Sequence, residues 1–193
     1  MSGYKIKFNG IDRLYNKYSW RLTKRAKQVW KSGQVLQDSY QIELEKTLAE
    51  QYKRKYAIAV GSATDGLYFA LKSLGLNSQS KIVCPVFGYI AMSGAIKRLG
   101  AKPIFVDVSI DTLNINLDEL KKKITKKTKA IMCIHVLGTS TNMSKLVKIA
   151  KKNKIILIED TCESLGTKYR NKNLGTFGKF GTYSFYYSHQ ITS

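Results

Sequence analysis

From residue 57 onward, short apolar runs alternate with longer stretches whose apolar positions recur every three or four residues. The runs are 57–60 (Ala-Ile-Ala-Val), 81–84 (Lys-Ile-Val-Cys), 103–106, 130–135, 155–158 and 182–186, each with the length and the β-branched or aromatic content of a strand. Between most of them, 65–74, 89–99, 116–124 and 142–152 carry the 3.6-residue period of helices with one apolar face. Apolar strands separated by helices of this length predict an α/β fold, a mostly parallel sheet with helices on both faces. In such sheets crossovers are right-handed and ligand-binding groups collect beyond the carboxyl ends of the strands. Ahead of the alternation the pattern is helical. Leu14, Tyr18, Leu22, Ala26 and Val29 predict a helix over 14–31, which Ser32-Gly33 breaks. Ile42, Leu44, Leu48 and Tyr52 predict a second over 39–52. The expected organisation is therefore an N-terminal helical segment, 1–56, and an α/β domain, 57–193.

Composition adds limits. The 193 residues are 44% hydrophobic, enough for a core, and no apolar run approaches the roughly 20 residues of a membrane helix. The start, Met1 to Asn9, lacks the apolar centre of a signal peptide. Cys84, Cys133 and Cys162 are odd in number, widely spaced and set in apolar sequence, which predicts reduced buried thiols, a cytoplasmic chain and no metal site. The net charge of +20 invites a nucleic-acid reading. Its detail argues against one, because only six of the 33 basic residues are Arg and the Lys are spread over solvated helix faces, as at 121–123 and 151–152. The charge would instead help to hold an anionic substrate.

The candidate chemical groups all fall at the carboxyl ends of expected strands. Gly61-Ser62-Ala63-Thr64 follows the first run and opens a helix, an arrangement that binds anions through small residues and orphan N–H groups. Its plainer reading is a helix cap. Asp160 ends an apolar strand, where a carboxylate must be paired or solvated. Tyr89 opens a helix after the second run and reads equally as a core aromatic. Ser184 and His189 lie in or just past the last run, and neither residue type says much alone.

The wording around these residues says more. Ile158-Glu-Asp-Thr-Cys-Glu-Ser-Leu-Gly166, Asp111-Thr-Leu-Asn-Ile115, Gly175-Thr-Phe-Gly178 and Ser184-Phe-Tyr-Tyr-Ser-His-Gln-Ile-Thr192 resemble segments of the DegT/DnrJ/EryC1/StrS family of pyridoxal-phosphate (PLP) enzymes that modify nucleotide sugars. The resemblance implies the large domain of the fold-type I PLP-dependent transferases. It implies that Ser62, Ala63, Thr64 and Ser184 hold the cofactor phosphate, that Tyr89 stacks on its ring and that Asp160 pairs with the ring nitrogen. Glu163 stands where aminotransferase members have Gln or His and where some sugar dehydratases have Glu. His189 occupies the position of the lysine that most members join to the cofactor as a Schiff base. Imidazole cannot form that bond, but it carries protons near neutral pH.

On this resemblance His189 is the catalytic residue of a 3-dehydratase acting on a 4-keto-6-deoxy nucleotide sugar. The cofactor would be PLP or pyridoxamine 5'-phosphate held non-covalently, the amino donor an amino acid such as glutamate, and the assembly a homodimer. Family members continue past the lysine position into a further strand and a C-terminal small domain, so 1–193 is expected to be an incomplete, N-terminal portion. A nucleotide-sugar aminotransferase and a non-catalytic truncated remnant or assembly partner remain open as alternatives. His135, which also matches a His of the family, is expected to be structural.

Overall fold

The computed structural model describes residues 10–36 and 38–191, so Thr192, the last residue of the final motif, lies outside them. The chain separates into two compact units, one of residues 1–51 with 55–57, the other of 52–54 with 58–193. In the first, α1 (Ile11–Ser32) ends at Gly33, whose φ of 68° lies in the left-handed region that glycine adopts without strain. The second helix, α2 (Ser39–Gln51), starts where the Asp38 carboxylate accepts the N–H groups of Tyr40 and Gln41 at 2.9 and 3.2 Å. No described residue of α1 or α2 is buried.

The second unit is the α/β body. Its strands β1 (Lys81–Pro85), β2 (Lys102–Val106), β3 (Thr128–Ile134) and β4 (Ile156–Asp160) lie close to four of the predicted runs. With β7 (Phe180–Thr182) they form one sheet in the order β2-β1-β3-β4-β7, and every pairing is parallel. The four consecutive buried residues that end β1 and β4 follow from cover on both sides. On one face α3 (Ala63–Lys72) and α4 (Ala91–Arg98) bury Leu67, Leu71, Met92 and Ile96 against Ile82, Met132 and Ile158. On the other, α5 (Leu117–Lys123) and α6 (Met143–Lys152) bury Leu120, Leu146 and Ile149 against Val83, Ile131 and Leu157. Side-chain alternation along each strand makes the two layers from alternate residues of the same strands. Asn116 and Asn142 cap α5 and α6 by accepting backbone N–H bonds.

Two expectations need correction. The run 57–60 does not form a strand, and Ile58 and Val60 are exposed there. A strand exists only by pairing, and no strand of the described residues lies beside this segment. The last strand is 180–182 instead of 182–186, because its ladder stops where β4 stops, with Asp160 opposite Thr182. A short hairpin, β5 (Lys168–Tyr169) and β6 (Lys172–Asn173), was not expected. It turns through Arg170 and Asn171, both at positive φ.

The connections leave the sheet in opposite directions from its middle. From β1 the chain moves outward to β2; from β3 it moves the other way, to β4 and β7. The loops after β1 and β3 therefore part at a switch point, where open α/β sheets form their binding crevice. They are close there: a Cβ on Gly88 would stand 3.2 Å from Ile134 Cδ1.

Candidate active site

Asp160 is the last residue of β4 and is 5% exposed. Its side chain shares the parity of Ile158 and so belongs to the α3/α4 face. Burial raises its pKa above the ordinary carboxylate range, and nearby Glu163 adds to the rise. Hydrogen bonds from Cys162 oppose it, including the Cys162 N–H donated to Oδ1 at 3.1 Å. Such a carboxylate suits a cationic partner, which would relieve the desolvation.

Two further elements, β7 and α3, come together around Asp160. Thr182 pairs with it in the sheet, and α3 crosses β7 so that a Cβ on Gly66 would lie 3.6 Å from Thr182 Cγ2. That crossing brings the start of α3 to the edge holding Asp160. Ser62 caps the helix, accepting the Asp65 N–H at 3.1 Å and donating to Asp65 Oδ2 at 3.0 Å. Ala63 and Thr64 form the first turn, whose N–H groups have no partner within the helix. Asp65 would oppose an anion there, but Arg98 neutralises it across 2.8 Å and lowers its pKa.

Past β7, Ser184 accepts the Tyr186 N–H at 3.2 Å and the chain turns with the His189 N–H donated to the Tyr186 carbonyl at 2.9 Å. The His189 ring is half-buried, edge-on to Tyr186 with centroids 6.1 Å apart. Gln190 donates to the Glu163 carbonyl at 2.5 Å, tying this segment to the loop after β4. Glu163 itself accepts the Leu137 N–H at 2.7 Å. Tyr89 is 72% exposed on the loop after β1, beside a cleft of about 240 Å³ lined by Val86, Phe87, Ile90 and Phe105. It lies close enough to Tyr186 to help raise that phenol's pKa, after the hydrogen bond between Tyr186 and Tyr187, burial and the Tyr187 charge. All eight residues singled out in the sequence thus lie at the carboxyl edge of the sheet, Asp160 at the end of β4, with Glu163 on the loop after it and Ser184 and His189 on the segment that Gln190 ties to that loop. Ser62 and Glu163 have side chains already engaged with the protein.

The profile of the DegT/DnrJ/EryC1/StrS aminotransferase family matches residues 18–193. The chain belongs to this family. It is 40% identical over 155 residues to the GDP-perosamine synthase of Escherichia coli O157:H7, covering 80% of this chain and 43% of that protein. It is 34% identical over 176 residues to the GDP-4-keto-6-deoxy-D-mannose 3-dehydratase of Escherichia coli O55:H7, covering 88% and 45%. The chain spans less than half the length of these family members. In structure it superposes on the E. coli GDP-4-keto-6-deoxy-D-mannose-3-dehydratase with bound hydrated PLP, with a TM-score of 0.84 and 33% identity over 88% of this chain and 45% of that one. An aminotransferase from Psychrobacter cryohalolentis superposes with a TM-score of 0.85 at 29% identity, over 88% and 44%. Family membership fits the parallel sheet flanked by helices.

Sequence reasoning passed over one group in this family member. Glu159 is fully buried on the α5/α6 face and accepts the N–H groups of Gly175, Phe177 and Gly178 at 2.8, 2.7 and 2.6 Å. His135 Nε2 meets the same carboxylate at 3.2 Å. A carboxylate inside an apolar run was the available signal, since it requires several donors. Arg54 completes the cluster by donating to the Gly178 carbonyl at 3.2 Å and to that of Lys179. Among the described residues no group of three or more His, Cys, Asp or Glu is placed to hold a metal ion, and no helix is long and apolar enough to cross a membrane.

Proposed function

We propose that this protein is a PLP- or pyridoxamine-phosphate-dependent 3-dehydratase of a 4-keto-6-deoxy nucleotide sugar. The observation that carries the reading is His189, half-buried beside Tyr186 on the segment where family resemblance expects the Schiff-base lysine. The donor set fits the cofactor: a buried carboxylate with a raised pKa, a helix start built of small residues, a serine and an exposed ring on one edge. When bound, the cofactor supplies an electron sink and an exchangeable amino group.

Each residue then has a task. Asp160 keeps the ring nitrogen protonated, and that pairing offsets the burial of its own charge. The N–H groups that start α3, with Ser62, Thr64 and Ser184, receive the phosphate. Tyr89 covers the ring face and Glu163 closes the site from the loop after β4. His189 accepts a proton on a ring nitrogen and delivers one to the departing 3-hydroxyl oxygen of the sugar. An amino acid such as glutamate would be the amino donor, and the site would be completed in a homodimer. Reduced thiols at Cys84, Cys133 and Cys162 support a cytoplasmic setting.

The similarity to a GDP-perosamine synthase, higher in identity than that to the dehydratase, favours a second reading, an aminotransferase. One experiment separates the two. The purified protein is incubated with PLP, glutamate and a 4-keto-6-deoxy nucleotide hexose, and the product is weighed by mass spectrometry. Loss of the 3-hydroxyl supports dehydration; a 4-amino sugar that keeps it overturns this proposal.

A further inference from the structure

We propose that Glu159 is a positioning residue for the site. It locks the 175–178 turn, and through it β7 and residues 184–189, to the sheet edge that carries Asp160, and it thereby governs cofactor affinity without touching the cofactor. The functional half of this inference rests on the cofactor reading above.

The geometry leaves the carboxylate no other role. Three backbone N–H groups donate to it, Phe177 and Gly178 on Oε1 and Gly175 on Oε2, and the His135 ring stands 3.2 Å from Oε2. A carboxylate accepts on both oxygens and so suits this set of donors. The other His135 ring nitrogen, Nδ1, is buried without a partner. The His135 carbonyl accepts Ser164 Oγ–H at 2.6 Å, so the pair also grips the loop that carries Glu163.

The turn is held from both sides. Glu159 takes its N–H groups, while Arg54 takes the carbonyls of Gly178 and Lys179. Its backbone packs so closely that a Cβ on Gly178 would collide with the Leu157 carbonyl, and one on Gly181 with the Gly175 backbone. Directly after it, Lys179 N–H reaches the Leu157 carbonyl at 2.8 Å and β7 begins. Ser184 and His189 lie two and seven residues beyond the end of that strand. Their position relative to Asp160 is thus set through the turn, and displacements of about 1 Å in such sites can change function about 100-fold.

The test uses the purified protein and three measurements: the dissociation constant for PLP, the urea midpoint, and amide hydrogen exchange by mass spectrometry. Glu159→Gln is nearly isosteric, but its NH2 would face the Gly175 N–H, donor against donor. Leu120→Ala serves as the stability control, being a buried residue of α5 in the same layer with no part in the turn. Glu159→Gln is expected to raise the PLP dissociation constant at least tenfold and to speed exchange over 175–189 at least tenfold. Leu120→Ala, with an equal or larger drop in urea midpoint, should leave the affinity within twofold. An affinity within twofold of the parent in Glu159→Gln, or a loss that tracks the urea midpoint in both variants, overturns the proposal. Should Glu159→Gln not fold, Arg54→Ala releases the carbonyl side of the same turn and carries the same expectation at threefold or more. If the parent does not bind PLP, the cofactor reading fails. Exchange alone then decides the positioning claim: acceleration confined to 175–189 supports it, and uniform or absent acceleration overturns it.

Discussion

Replacing Asp160 with Asn should make the ligand-free protein more stable and a poorer binder of PLP. The carboxyl is 5% exposed, and its pKa is raised first by burial. A carboxyl whose folded pKa exceeds its unfolded value stabilises the fold at low pH, and that contribution is lost as pH rises through the folded pKa. At pH 7, well above the unfolded pKa, this carboxyl therefore costs the ligand-free protein stability, a cost that the hydrogen bonds from Cys162 offset in part. Asn keeps an oxygen for the Cys162 N–H and drops the charge. The relief is on the order of 1–3 kcal/mol, the scale of an incompletely compensated buried polar group. In a domain of this size each kcal/mol moves Tm by about 2–4 °C. The assay is urea unfolding of both proteins at pH 7 and at about pH 3.5, just below the ordinary carboxyl pKa, where the advantage should shrink toward zero. PLP titration of the same samples should show an affinity loss of about tenfold or more, as expected when a charge-assisted bond is lost. An Asp160→Asn protein that is no more stable than the parent at pH 7 would refute the reasoning, whatever its cofactor affinity.

Three further outcomes are expected. Borohydride treatment in the presence of PLP should leave His189 unmodified, whereas His189→Lys should yield a reduced adduct at that position by mass spectrometry; full labelling of another lysine in the parent would count against the site. Asn142→Ala removes an oxygen that accepts the Lys145 N–H at 3.0 Å and the Tyr169 hydroxyl at 3.1 Å, and should lower stability by about 1–2 kcal/mol in urea unfolding. Burial pushes the Cys84 thiol up to about 12 and raises Cys133 and Cys162 too, so iodoacetamide at pH 8 should alkylate all three at least about 100-fold more slowly in the folded protein than in urea.

The strands that the sequence shows well are those buried on both faces. Their runs at 81–84, 103–106, 130–135 and 155–158 need no particular neighbour to be recognised, because continuous apolar character is itself the mark of a covered parallel strand. Ala57-Ile-Ala-Val60 has the same character and forms no strand, since pairing depends on residues far away in the chain. The hairpin at 168–173 turns through Arg170 and Asn171, and Arg gives little warning of a positive φ. Of the candidate site, Asp160 was visible because a carboxylate ended an apolar strand, and the loops around it because their wording resembles a family. Glu159 sits one residue away in the same run and was missed. Its meaning depends on three amides more than 15 residues downstream, which no local pattern connects to it.

The adjacency of Glu159 and Asp160 also limits how this protein can drift. Neighbouring residues of one strand face opposite layers, so the two acids divide between structure and chemistry only while β4 keeps its register. A conservative exchange at either position could spare the role of the other acid. A one-residue insertion or deletion within β4 could not, because it would send each carboxylate to the other's side of the sheet at a single stroke. Length variation should therefore be confined to segments such as the 168–173 hairpin, and β4 should vary only by substitution.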